Sequence, residues 1–142
     1  MSQRTLRELY LRGFGICVRE SSPTAVMTSY NLLNGEHTSE RRDLIDRILR
    51  SEFGFKGIVM SDWILPMAQG KSKKYRAPDA GKIAAAGGDL TMPGSKNDQK
   101  AILRALKRKK LTRIQLRLNA SRVIRLAREL TEERAAAQKQ EE

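Results

Sequence analysis

The sequence predicts an α/β domain in which short parallel strands alternate with covering helices. Three observations lead there. Segments with apolar residues spaced three and four apart alternate along the chain with short runs rich in Val, Ile, Met and Thr. Cap and turn residues fall between these segments. Helices that separate strands one by one imply parallel pairing through right-handed crossovers. The composition, 39% hydrophobic and 31% charged over 142 residues, suits one ordinary domain with a buried core.

The elements follow in order. Residues 5–20 carry Leu6, Leu9, Tyr10, Phe14 and Cys17 at helical spacing, and Pro23 ends that helix. AVMTSY (25–30) is the first strand candidate, and NLLNGEH after it is a loop turning at Asn34-Gly35. A second helix is expected from Ser39, as N-cap, to Glu52, with Leu44, Ile45, Ile48 and Leu49 as its stripe and Gly54 as its left-handed stop. GIVMSD (57–62) is the second strand, followed by a basic, glycine-containing loop (66–78). A short helix is expected to start at Pro78 and to stop at Gly87-Gly88, and DLTMP (89–93) is the third strand. Ser95 and Asp98 then open a helix bearing Ala101, Ile102, Ala105 and Leu106. Thr112 and Gln115 form a capping box, with Leu111 and Leu116 placed as a hydrophobic staple. The stripe of that last helix is Leu116, Ala120, Val123, Ile124, Ala127 and Leu130. From Thr131 the chain is a polar helical tail, TEERAAAQKQEE, expected to fray.

Several classes drop out. Cys17 is the one cysteine, so no internal disulfide can form. No run of 18 apolar residues marks a membrane span. The opening MSQRTLRELY lacks the apolar core of a signal peptide, and the expectation is a reduced, cytoplasmic setting. His37, in the loop after the first strand, reads as solvent-exposed. It has no second His and no Cys cluster beside it, so no metal site is expected, and no cofactor is implied.

The net charge of +12 is uneven: from Lys100 to Arg128 there are 11 basic residues and no acidic one. That block suggests a rival, a helical protein gripping nucleic acid by its phosphates. No Phe, Tyr or Trp follows Tyr75, so nothing there could stack on bases. The basic residues suit an outer, solvated helix face as well.

In parallel α/β folds, chemistry sits at the carboxyl ends of the strands. The first strand here ends on Tyr30-Asn31, the second on Asp62-Trp63 and the third on Met92-Pro93. An Asp-Trp pair in that position serves a packed helix cap, or it serves a sugar site. Sugars stack a C–H face on an indole while carboxylates hold their hydroxyls, and an aspartate can attack an anomeric carbon.

The run ILRSEFGFKGIVMSDW (48–63) resembles the nucleophile region of glycoside hydrolase family 3. That pattern is two aliphatics and a basic residue, an acid, then Gly, three aliphatics, Ser/Thr and Asp. VMTSYNLLNG (26–35) looks like the preceding strand and loop of the family, RTLRELYLRGF the helix before it, and GGDLTMPG (87–94) the strand after it. LTRIQLRLNASRVIRLARE resembles the terminal barrel helices, so the likeness covers nearly the whole chain in order. It implies the C-terminal portion (1–130) of a (β/α)8-type domain, about three parallel strands, acting with retention on β-glucosides or related glycosides. Asp62 matches the nucleophile. Trp63 matches the aromatic bordering the sugar, and Tyr30 the tyrosine near the nucleophile. Met27 and Asn31 join them as substrate-binding candidates. The Asp-Trp pair is similar to the β-glucosidase and β-xylosidase branch.

The departures shape the expectation. A full (β/α)8 barrel takes roughly 200 to 250 residues. The family's upstream strands, with their sugar-binding residues, have no counterpart here. The proton-donating second carboxyl is unassigned, with Glu36 the one other acid in the strand-end loops. Ile64 and Leu65 replace small residues, and a basic loop (Lys71–Arg76) follows. The chain is therefore expected to be a truncated barrel piece, weakly active or inactive alone, completed by a complementary chain or by self-association. A catalytically dead binding scaffold has the same signature.

Overall fold

The computed structural model describes residues 1–66 and 75–141. A parallel sheet is built from β1 (Ala25–Met27), β4 (Ile58–Trp63) and β5 (Leu90–Met92), in the order β1-β4-β5. β4, the most apolar strand, takes the centre, where Ile58 and Val59 are buried. Val26 pairs with Val59 and Met27 with Met60 on one side. On the other side Met60 pairs with Leu90 and Trp63 with Met92, so β4 spends one residue more than β5 and a bulge lies between. A small antiparallel hairpin joins β2 (Leu32–Leu33) to β3 (Glu36–His37) through Asn34 and Gly35, both at positive φ, the combination a tight two-residue hairpin turn demands.

Among the described residues five helices cover the sheet. Short turns at Gln3–Thr5 and Leu6–Tyr10 lead into α1 (Arg12–Ser21). α2 (Asp43–Glu52) is wound wider than an α-helix and closes with Phe53 N–H on Ile48 C=O. α3 (Ala80–Ala86), α4 (Lys96–Lys107) and α5 (Arg113–Glu141) complete the order. α2 and α3 each return the chain from the end of one strand to the start of the next, as parallel pairing requires. The arrangement is a three-strand portion of a (β/α)8 barrel with its covering helices.

Several starts differ from expectation. Ser39 is no N-cap: it sits in a 3-10 turn (Thr38–Glu40), buried and with its hydroxyl unpartnered, because Arg41 closes bidentately on Asp43 and moves the helix start downstream. Pro78 lies before the helix rather than in it, since Asp79 caps α3 by accepting from Lys82 N–H. The first strand stops at Met27. Ser95 and Thr112 cap as expected, accepting from Asp98 and Gln115 N–H. α5 runs on through the polar tail to Glu141. Much of its stripe is open, with Ile124 and Leu130 exposed, because among the described residues no further layer covers it.

The main core joins Val18 of α1, Ile45 of α2, Phe55, Val59 and Ala86. Each fully buried aliphatic in it contributes about 1.5–3 kcal/mol. A second cluster packs Ala84, Ala105 and Leu111, with Leu116 against it, which is the staple seen from the core side. Gly81 lets α3 approach α4 closely: a Cβ there would lie 2.6 Å from the Ala101 carbonyl oxygen. At the amino ends of the strands, Asp89, with its side chain wholly buried, joins three elements. It accepts from Val59 N–H, from Arg50 of α2 at 2.5 Å and from Arg122 of α5 at 3.0 Å. Asn119 works beside it, donating to the Ala84 and Gly88 carbonyls. The basic block is thus partly structural, since Arg104 pairs with Asp79 and Arg122 with Asp89.

β1 and β5 are the sheet's outer strands, and neither has a further strand beside it among the described residues. Leu9, Tyr10, Phe14 and Met27 are exposed along the β1 side. Among the described residues no helix is long and apolar enough to cross a membrane.

Candidate active site

The carboxyl end of β4 carries Asp62 and Trp63, and the segment after β1 brings Tyr30 to them. After Met27 the chain crosses the sheet end, where Thr28 N–H donates to Met60 C=O. The β2–β3 hairpin then holds this segment down. Thr38 N–H donates to the Asn31 carbonyl and Thr38 Oγ1 to the Ser29 carbonyl at 2.9 Å. His37, expected at the surface, is buried, because the hairpin folds it inward to meet the Arg76 carbonyl through Nε2 at 2.7 Å. The residue serves to tie the hairpin to the chain at Arg76.

Asp62 is half-buried. One carboxylate oxygen accepts from the Trp63 backbone N–H at 2.7 Å, which fixes the side chain against its own strand end. The Tyr30 hydroxyl donates to the Trp63 carbonyl. Partial desolvation first, then the nearby charge of Asp62, raise the phenol above its ordinary 10.0. The one phenol proton is committed to the Trp63 carbonyl. The indole of Trp63 is 51% exposed, a free apolar face beside a carboxylate. Ile64 follows at φ 54°, a strained setting for a β-branched residue, with its N–H on the Met92 carbonyl at 3.1 Å.

Asp62, Tyr30 and Trp63 thus form one hydrogen-bonded group. Met27 and Asn31 lie along a different feature: both border an apolar groove of about 460 Å³ between α1, β1 and α2, walled by Leu6, Phe14 and Phe53. Glu36 is exposed on β3 and borders a groove of about 430 Å³ with Glu40, Lys82 and Arg104, whose lining does not include Asp62. The basic stretch Lys71–Lys74 lies outside the described residues. Among the described residues no three His, Cys, Asp or Glu gather as metal ligands would. Sequence reasoning missed the hairpin and passed over Ser61, whose hydroxyl donates to the Asp62 carbonyl at 2.9 Å and accepts from Met92 N–H at 2.8 Å. A serine in an otherwise apolar strand run was the available signal.

Chemically, a carboxylate held at a parallel strand's carboxyl end can attack an electrophilic carbon or accept from hydroxyls. The neighbouring indole can stack on a sugar's C–H face, and the phenol can donate.

Comparison with known proteins gives a consistent picture. The family profile described as "Glycosyl hydrolase family 3 N terminal domain" matches residues 1–126. The chain is 45% identical over 94 residues to a probable beta-glucosidase K of Aspergillus fumigatus, covering 66% of this chain and 11% of that protein. It is 38% identical over 135 residues to beta-glucosidase A of Butyrivibrio fibrisolvens, covering 95% and 15%. Among solved structures, beta-glucosidase 3B of Thermotoga neapolitana superposes with a TM-score of 0.67 at 40% identity, over 81% of this chain and 16% of that one. The beta-glucosidase of Kluyveromyces marxianus in complex with glucose gives 0.76 at 28% identity, over 92% and 15%. The chain therefore spans a small fraction of the length of the proteins it matches.

Proposed function

The chain belongs to glycosyl hydrolase family 3, and on that premise we propose that it carries the nucleophile side of a retaining β-glycosidase site for β-glucosides or related sugars. The supporting observation is the group at the end of β4: Asp62 tied to the Trp63 N–H, with the Tyr30 hydroxyl on the Trp63 carbonyl beside it and an exposed Trp63 alongside. In this reading a carboxylate oxygen of Asp62 bonds to the anomeric carbon as the glycosidic C–O bond breaks. The bonding pair leaves with the aglycone oxygen, which takes a proton from a second carboxyl. Water then attacks the same carbon, giving its proton to that second carboxyl, now a carboxylate, as the bond to Asp62 breaks and the aspartate is released. In this reading the Tyr30 hydroxyl turns from the Trp63 carbonyl to donate to the carboxylate, and Trp63 carries the sugar's apolar face.

A retaining pair stands about 5–5.5 Å apart, and Glu36, on another groove, does not suit the role. The second carboxyl and most contacts to sugar hydroxyls come from outside these 142 residues, as a complementary chain or a second copy would supply them. The open outer sides of β1 and β5 support a partner that completes the sheet. Alone, the chain turns over unactivated substrates poorly.

The test is covalent trapping. The chain is incubated with a 2-deoxy-2-fluoro-β-glucoside bearing a dinitrophenolate leaving group, which departs without protonation, and the labelled peptide is sought by mass spectrometry. A sugar adduct on Asp62, abolished in Asp62→Asn, is the expected result. A folded chain with no adduct sinks the glycosidase reading in favour of a binding scaffold. Efficient hydrolysis of an unactivated disaccharide by the pure chain overturns the claim that a second component is needed.

A further inference from the structure

Ser61 is 1% exposed, a site where an apolar side chain is the usual occupant. The bulge explains the hydroxyl. β4 advances from Met60 to Trp63 while β5 advances from Leu90 to Met92. In a regular ladder the Met92 N–H would meet a β4 carbonyl. Here it donates to Ser61 Oγ at 2.8 Å, and the same hydroxyl donates to the Asp62 carbonyl at 2.9 Å. On the far side of the pair, Ile64 N–H returns to the Met92 carbonyl at 3.1 Å. Met92 of β5 thus grips β4 on both flanks of Asp62-Trp63, and one grip is a side chain.

The geometry points to Ser61 as the positioning residue for Asp62. Its hydroxyl stands in for the displaced ladder acceptor and holds the bulge in the one offset that turns the Asp62 carboxylate onto the Trp63 N–H and toward the Tyr30 hydroxyl. An alanine there leaves the Met92 N–H without an acceptor and frees the Asp62 peptide to rotate. The side chain it carries then samples other rotamers. The purpose of this placement rests on the proposed role of Asp62; the placement itself does not. For an attacking carboxylate, a displacement of about 1 Å costs on the order of 100-fold in rate.

Wild type, Ser61→Ala and Ser61→Thr are compared by two readouts. Three-bond couplings report the Asp62 χ1 rotamer, and hydrogen exchange reports the Met92 amide. The expected result is one Asp62 rotamer and a protected Met92 amide in wild type. In Ser61→Ala the rotamers average and Met92 exchanges at least tenfold faster with circular dichroism unchanged, and Ser61→Thr restores both. If Ser61→Ala does not fold, Ser61→Cys, which keeps the volume and weakens the acceptor, carries the comparison. A single unchanged Asp62 rotamer in the hydroxyl-free variant overturns the proposal. So does failure of the hydroxyl-bearing variant, folded, to hold that rotamer. Labelling by the fluoroglucoside is then at least tenfold slower in Ser61→Ala. If wild type takes no label, the glycosidase reading fails, and the rotamer comparison still decides Ser61.

Discussion

Replacing Asp89 by Asn is expected to destabilise the fold by about 3–5 kcal/mol, the usual cost of removing one member of a buried ion pair. Asp89 is 0% exposed, and its partners Arg50 and Arg122 are 10% and 19% exposed at their side chains. Burial pulls the Arg50 guanidinium below its ordinary range, Asp89 pushes it back up, and Arg122 opposes it. Removing the carboxylate charge leaves two shielded cations facing each other at the amino ends of the strands. The amide that replaces Oδ1 or Oδ2 can no longer accept from one of its three donors, a loss contained within the same figure because the terms overlap. Against a total stability of about 5–15 kcal/mol, the variant stands near the edge of folding. Urea unfolding followed by circular dichroism measures the difference, with Arg42→Ala as control. Arg42 is 71% exposed in its pair with Asp46, and such surface pairs contribute under about 1 kcal/mol. An Asp89→Asn variant within about 1 kcal/mol of wild type, at unchanged slope, would refute the assignment of this triad as the tie between sheet and helices.

Three further outcomes follow from the geometry. Tyr30 should ionise above 10.0 in a ¹³C-tyrosine titration, and Asp62→Asn should bring it part of the way back, because desolvation remains when the carboxylate charge is gone. An unchanged Tyr30 midpoint in that variant would show the two are uncoupled. Gly81→Ala should cost about 1–3 kcal/mol in thermal unfolding, since the new methyl meets the Ala101 carbonyl and the Ala105 Cβ at 2.6 and 2.8 Å; a neutral effect would mean α3 and α4 part easily. Arg41 holds the Asp43 carboxyl below its ordinary 3.8. The folded value lies under the unfolded one, so this pair stabilises fully above that value and the contribution disappears as the pH falls through the folded one. Asp43 is 37% exposed, so the effect is under about 1 kcal/mol. Stability followed from about pH 5 to about 2 should fall less steeply in Asp43→Asn than in wild type.

The elements that could be read from sequence were those whose signal is local. The stripe of α2, the Ser95 and Thr112 caps and the apolar run of β4 each lie within a few residues, and each forms where expected. The starts that moved did so through contacts with residues a local pattern does not weigh. Arg41 closing on Asp43 displaced the cap from Ser39, and Glu40, accepting from Asp79 N–H at 2.6 Å, helped place the start of α3 after Pro78. His37 was misplaced because two-residue strands carry almost no alternation to read, and only the Asn34-Gly35 turn betrayed the hairpin.

The sequence by itself determined the alternation of helices and strands, and with it a parallel sheet whose carboxyl ends gather Tyr30 and Asp62-Trp63. Periodicity and caps are properties of neighbours along a chain, and right-handed crossovers leave little freedom in joining them. The tertiary structure alone decided what holds those residues in place: the bulge, the Ser61 hydroxyl that fills it, and the triad of Arg50, Asp89 and Arg122. These depend on groups about 30 to 70 residues apart meeting in a low-dielectric interior, where an unpaired donor or charge is costly and a paired one is not. Long-range pairing of that kind leaves no period in the sequence.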